Sequence, residues 1–289
     1  MVGSTRFTGN GARNGSDLME RYEFDSEGDR LVGNLHLPQG DAHGVAILTG
    51  PLTSVKEQAT GAWASALAER GFGALSFDHR YYGESAGRPR QLENPAAKIA
   101  DIQAAAASLH SDRRFASTPM FAVGICAGGG YMARAVATQP LFCAFAGVAG
   151  YYAQATEQSI NSAAPAIARA SEAEKRWRET GANASARGMA TLFHRWRFFI
   201  PAPPLSVQSW AYTSTFDAIG AANLIRVPTI VIHSERALAP SLARRFQADL
   251  NNARILWVES SGQIDFYDNP HLIAIGADAV TKFFKTATR

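Results

Sequence analysis

The sequence predicts an α/β fold: one mostly parallel sheet with helices on both faces and a helical cap inserted after the sixth strand. Three observations carry that expectation. Short β-branched or aromatic runs alternate with amphipathic stretches along most of the chain. The alternation stops between Tyr151 and about Trp210, where helix formers and aromatic residues replace strand-like runs. An apolar run ending at Gly124 passes through Ile125-Cys126-Ala127-Gly128 straight into a helical pattern, as a sharp strand–turn–helix elbow does.

Residues 20–24 and 30–37 alternate polar and apolar around Glu27-Gly28 and read as a hairpin leading into the sheet. Residues 45–49 are a core strand ending at Gly50-Pro51. Over 58–69, Ala62, Trp63, Ala66 and Leu67 share one helical face, and Arg70-Gly71 ends it. Residues 73–77 form the next strand, followed by the 78–85 loop, a helix over 95–110, a strand over 120–125, a helix over 127–138 and a strand over 142–148. The cap follows, with helix formers at 171–179, a Gly/Ala/Ser stretch at 181–188 and the aromatics Trp177, Phe193, Trp196, Phe198, Phe199 and Trp210. Alternation resumes at 227–233 (strand), 241–250 (helix), 254–258 (strand) and 271–284 (helix). The division is a flexible tail over 1–18, a core over 19–150 and 211–289, and a cap over 151–210.

With 289 residues, 46% hydrophobic and 18% charged, the chain suits one large domain with an insertion. A net charge of +3 and scattered arginine pairs give no nucleic-acid footprint. Cys126 and Cys143 cannot build a disulfide scaffold and fit no zinc spacing, so a reducing cytoplasm, no metal and no cofactor are expected. The stretch from Met1 to Asp17 lacks the apolar run of a secretory signal. The apolar region over 135–155 is interrupted by Gln139-Pro140, so no membrane span is expected.

At the elbow, Gly124 and Gly128 supply the small residues that a tight turn needs, and Cys126 occupies the strained position between them. A cysteine at a helix N-terminus is favoured as thiolate, and the Ala127 N–H lies where it can stabilise an oxyanion. Cys143 falls inside a strand and reads as structural.

Three stretches carry a resemblance: Gly50-Pro51-Leu52-Thr53-Ser54-Val55-Lys56-Glu57-Gln58, Phe77-Asp78-His79-Arg80-Tyr81-Tyr82-Gly83-Glu84-Ser85, and the elbow. On them the chain resembles the dienelactone-hydrolase-like branch of the α/β-hydrolase superfamily, including its polyketide-transferase-like members. The resemblance implies the α/β-hydrolase fold and a second oxyanion N–H from Leu52, with Thr53 as its neighbour in contention. It implies structural roles for His79 and Arg80.

An acid after the 227–233 strand and a histidine after the next strand should complete a triad. Glu235 is the only carboxylate within reach in the first loop, and Gln263 stands where similar sequences carry histidine. Glutamine cannot take a proton near neutral pH. Three readings stay open: His271 or His233 as base, or a glutamine substituted to trap a bound state. A thiol without a base can still be acylated, whereas water attacking the acyl-enzyme needs one. The expected function is therefore that of a thioesterase, acyltransferase or cyclase, of the kind found in secondary metabolism, using Cys126. A non-covalent cyclase or lyase and an inactive ligand-binding relative are the alternatives. Trp177, Trp196, Phe199 and Trp210 would line a pocket for an apolar acyl substrate, free or carrier-bound, in a protein that could be a homodimer.

Overall fold

Glu27 and Gly28 both take positive φ, 51° and 87°, so the chain reverses tightly between β1 (Met19–Ser26) and β2 (Asp29–His36). The two pair antiparallel from Ser26↔Asp29 to Met19↔His36. In the computed structural model, which describes residues 18–182, 185–186 and 205–288, six further strands extend this hairpin. They are β3 (Val45–Thr49), β4 (Gly73–Asp78), β5 (Met120–Ile125), β6 (Phe142–Val148), β9 (Thr229–His233) and β10 (Ala253–Trp257); β7 (Ser185–Ala186) and β8 (Leu205–Ser206) pair apart from them. The sheet order is β1-β2-β4-β3-β5-β6-β9-β10. Every pairing from β4 to β10 is parallel. Continuous apolar sequence in β3 and β5 suits strands covered on both faces, and both are buried throughout.

The helices are α1 (Ala59–Ala68), α2 (Pro95–Ser111), α3 (Ala127–Thr138), α4 (Glu157–Thr180), α5 (Ser209–Thr213), α6 (Pro240–Ala248), α7 (Asp265–Asp268) and α8 (Pro270–Ala287). Side-chain caps start three of them, α4 and two capped by asparagine. Asn94 accepts from the N–H groups of Ala96 and Ala97, Asn269 does the same for His271 and Leu272, and each is followed by proline at the first helical position. Phe284 of α8 stacks on Phe121 of β5 at 4.2 Å. The Trp63 indole of α1 donates to Phe266 O at 2.8 Å and so ties α7 to the core.

The cap departs from expectation. Helix formers were apparent only over 171–179, yet α4 runs from Glu157 to Thr180 with Pro165 inside it. A reciprocal capping box between Thr156 and Ser159 starts it, and Gly181 at φ 70° ends it. Only Ala170 and Ala173 are buried, so its first half has no apolar face for a periodicity reading to detect. The expected tail over 1–18 lies outside the described residues except for Leu18. Among the described residues, no helix is long and apolar enough to cross a membrane.

A buried carboxylate joins the hairpin to the loop after β4. Asp101 of α2 accepts from Ser26 Oγ (2.9 Å), from Arg80 Nε (2.7 Å) and from the Arg80 N–H (3.0 Å), with His79 Nδ1 at 3.3 Å. Burial pushes the His79 imidazole down, so it is neutral, and its Nε2 accepts from Thr49 Oγ1 at 2.7 Å. Burial pushes the Asp101 carboxyl up, but the His79 and Arg80 bonds prevail and hold it below the usual carboxylate range. A carboxyl held low in the folded state stabilises above its unfolded pKa, and that stability is lost as pH falls through the folded value. Asp101→Asn is therefore expected to cost about 3 kcal/mol in urea unfolding near neutral pH. The gap between the two proteins should narrow below about pH 4.

Candidate active site

Cys126 joins β5 to α3 at φ 55°, a region costly for any residue with a Cβ. Three backbone bonds hold it there. The Cys126 N–H donates to Val148 O (3.1 Å), and its carbonyl accepts from Gly129 (2.9 Å) and Tyr151 (2.8 Å). The flanking glycines are required by space. A Cβ on Gly124 would lie 2.5 Å from Gly128 O, and one on Gly128 would run into the carbonyls of Thr49 and Gly50. The end of β3 thus packs directly on the elbow.

The sulfur is buried, with Cys126 4% exposed. Burial pushes the thiol up; hydrogen bonds from Tyr267, the Ala127 N–H and Gln263 oppose it without cancelling it, and the charge of Glu93 adds to the rise. The Gln263 amide has one permitted orientation. Its Oε1 accepts from the Leu238 N–H at 2.8 Å, and its Nε2 donates to Ala149 O at 2.9 Å and to Tyr267 Oη at 2.9 Å. Exchanging oxygen and nitrogen would set donor against donor at Leu238 and acceptor against acceptor at Ala149.

The loop after β3 is braced by a buried carboxylate. Glu93 accepts from Tyr131 Oη (2.9 Å), Tyr82 Oη (3.0 Å) and the Thr53 N–H (3.3 Å), and pairs with Lys98 Nζ at 2.6 Å. Glu93 is fully buried, and Lys98 lies over the rings of Tyr82 and Tyr131. Thr53, at φ 61°, has its N–H committed to Glu93.

Of the residues singled out from sequence, Cys126, Ala127 and Gln263 come together, with Leu52 on the braced loop. Glu235 does not join them. It is exposed, paired with Arg244, and the loop instead meets Gln263 through the Leu238 N–H. An orienting acid has no function beside an amide oxygen that needs a donor, so Glu235 is set aside as the acid. His271 opens α8 on the surface. His233 is buried at the end of β9, edge-on to Trp257 at 5.4 Å, and burial keeps it neutral. Trp177 of α4 is half-buried and Trp210 of α5 is 38% exposed, while Trp196 and Phe199 lie outside the described residues. Among the described residues, no group of three or more His, Cys, Asp or Glu side chains could hold a metal ion.

Tyr267 and Glu93 were missed. Tyr267 follows Gln263 by four residues, so a helical turn there places both on one side, a local signal that was available. Glu93 has no such signal, because only the tertiary fold brings it beneath Thr53.

Residues 45–196 match the family described as serine aminopeptidase, S33. The uncharacterized protein YcjY of Escherichia coli K12 is 28% identical over 266 residues, 83% of this chain and 87% of its own length. Among solved structures, the hypothetical protein PA2218 of Pseudomonas aeruginosa superposes with a TM-score of 0.80 at 22% identity, covering 99% of both chains. DcsB in complex with a substrate analogue gives 0.81 at 16% identity, over 93% of this chain and 99% of its own. The thioesterase domain from the curacin biosynthetic pathway gives 0.63 at 14%, over 90% and 99%. The family match spans more than half of the 289 residues and includes the elbow, and the chain belongs to the serine aminopeptidase S33 family of α/β-hydrolases.

Proposed function

We propose that the protein is an acyl-processing enzyme, of the thioesterase, acyltransferase or cyclase type, that captures an acyl group from an ester or thioester on Cys126 and passes it to an acceptor other than water. One observation carries the reading: a cysteine strained at the elbow faces an amide whose orientation is fixed by two backbone groups. The strain presents Sγ to a carbonyl carbon. The N–H groups of Ala127 and Leu52 would take the developing oxyanion. Gln263 can orient but cannot accept a proton, so it cannot activate water for deacylation. Amines, thiols and nucleophiles within the acyl chain need less activation and are the favoured acceptors.

The fold is shared with a thioesterase domain, which agrees with acyl chemistry. Trp177 and Trp210, with Trp196 and Phe199, are the aromatics that would cover an apolar acyl chain, free or carrier-bound. A cytoplasmic setting belongs to the same reading, since Cys126 works as a reduced thiol. A second reading, non-covalent cyclisation or elimination, draws on the hydrogen-bond donors around the sulfur.

Intact-protein mass spectrometry with a short acyl thioester is expected to show one adduct on the parent and none on Cys126→Ala, with release faster to an added thiol or amine than to water. Neither adduct nor turnover on the parent would sink the proposal, and turnover retained by Cys126→Ala would favour the non-covalent reading.

Burial of the thiol sets a pH dependence. Because its pKa lies above that of a free cysteine, the thiolate fraction at pH 7 is smaller than that of a free thiol. Iodoacetamide should therefore alkylate Cys126 more slowly than free cysteine at pH 7, with a rate that climbs roughly tenfold per pH unit.

Gln263→His alone is expected to leave ester hydrolysis at the parent level. The ring nitrogen facing the Leu238 N–H would have to accept, leaving the proton on the nitrogen that faces the sulfur, the wrong tautomer for a base. A gain of about 100-fold or more would show that this orientation does not exclude a base.

A further inference from the structure

We infer that Glu93 is a positioning residue of this site. Its side chain sets the loop carrying Leu52, its backbone takes its place from the cap, and acylation of Cys126 therefore depends on how the cap is seated. The inference rests on the acyl-capture reading above and deepens it.

The loop after β3 needs holding where Leu52 meets Thr53. At its far end the Lys56 N–H donates to Asp78 Oδ1 at 2.8 Å, and Lys56 Nζ pairs with Asp78 Oδ2 at 2.9 Å. Nearer the strand, Ser54 closes a turn onto Pro51 O through its N–H (3.2 Å) and its Oγ (2.8 Å). Thr53, the third residue of that turn, stands at φ 61°, a costly conformation for a β-branched side chain. The bond from the Thr53 N–H to Glu93 Oε2 at 3.3 Å opposes its relaxation. A Thr53 released to negative φ would turn the adjoining peptide and carry Leu52 with it.

Holding that N–H is a directional task that an apolar side chain could not perform. Well-packed apolar residues often replace a buried ion pair without loss of stability, so filling space does not account for a charge at position 93. The carboxylate is fixed on both oxygens. Tyr131 Oη donates to Oε1 at 2.9 Å and Lys98 Nζ pairs with it at 2.6 Å, while Tyr82 Oη donates to Oε2 at 3.0 Å beside the Thr53 N–H.

The backbone of the same segment is held by the cap. Gln91, at φ 64°, donates its N–H to Tyr81 O at 2.9 Å and accepts at its carbonyl from the Ser206 N–H of β8 at 2.8 Å. Two residues on, the Glu93 N–H donates at 2.9 Å to Oγ of Ser209, the first residue of α5. Ser206, Ser209 and Glu93 are all fully buried, so no bulk water is at hand to replace a lost partner. A shift of β8 or α5 is felt at Glu93 and, through it, at Thr53.

The test uses two reactions of the same sulfur. Acylation by an acetyl-N-acetylcysteamine thioester builds negative charge on a carbonyl oxygen, whereas iodoacetamide loses iodide to the sulfur and builds no oxyanion. Both rates are read at Cys126 by mass spectrometry of the protein and its peptides, for the parent, Glu93→Gln and Ser209→Ala. Glu93→Gln should lower acylation about 100-fold relative to alkylation. Ser209→Ala keeps the Glu93 charge beside the sulfur and removes the acceptor from the Glu93 N–H; it should lower the same ratio about tenfold. In both, the loss should fall on the maximal acylation rate and not on the half-saturating thioester concentration. Should Glu93→Gln not fold, Ser209→Ala decides alone. A ratio at the parent value in Ser209→Ala, or in folded Glu93→Gln, overturns the positioning role and leaves acyl capture standing. No acyl adduct on the parent overturns both.

Discussion

A primary amide set between a backbone N–H and a backbone carbonyl cannot turn over, and the chemistry of this site depends on one such amide. Leu238 and Ala149 fix Gln263 from opposite ends. Because both partners are backbone, side-chain evolution nearby cannot easily reverse the polarity. The consequence reaches into the neighbouring loop. An amide oxygen facing the acid loop needs a donor there, so a carboxylate would repel it, which accounts for Glu235 standing out in solvent beside Arg244. The amide nitrogen in turn donates to Tyr267 Oη. Ala149 itself is held at φ 42° by its N–H bond to Ile232 O at 2.7 Å, so the end of β6 stores strain in presenting that carbonyl.

The elbow adds a second constraint. Conformations such as that of Cys126 cost on the order of 1–3 kcal/mol and persist only where surroundings over-determine them. Here the bonds to Val148, Gly129 and Tyr151 and the glycine contacts supply that determination. The same packing buries the sulfur, and burial opposes the thiolate. Each pKa unit of that opposition is about 1.4 kcal/mol at neutral pH. A buried thiol of raised pKa, beside an amide that cannot accept a proton, holds little thiolate at neutral pH.

The fold was largely legible because the core strands are buried on both faces and bounded by glycine, proline and asparagine. Val45–Thr49, Met120–Ile125 and Phe142–Val148 were read with the bounds the structure gives. The cap was legible only as a break in the alternation, since α4 buries two alanines and displays no apolar stripe. Around Cys126, the elbow pattern singled out Cys126 and Ala127 and the family resemblance singled out Gln263, and the structure brings these three residues together. The acid was misread because a loop sequence gives carboxylate identity without direction. Glu93 was invisible because nothing in Gln91-Leu92-Glu93-Asn94-Pro95 forecasts a partner forty residues earlier in the chain.

Glu93 also shows why cap and oxyanion loop should not be treated as separate parts. A fully buried carboxylate costs several kcal/mol to desolvate unless its acceptor positions are filled, and here Lys98, two tyrosines and the Thr53 N–H fill them. The backbone of the same segment is held from the cap side. The Glu93 N–H donates to Ser209 Oγ at 2.9 Å, and the Ser206 N–H donates to Gln91 O at 2.8 Å. One short stretch therefore receives the returning cap strand on its backbone and grips the loop carrying Leu52 with its side chain. Displacing β8 or the start of α5 removes the hydrogen bonds that fix Gln91 and Glu93, while the Glu93 side chain cannot release Thr53 without leaving a buried charge short of donors. The position of the Leu52 N–H and the seating of the cap are thus coupled through a residue that touches neither the sulfur nor any acyl chain bound to it.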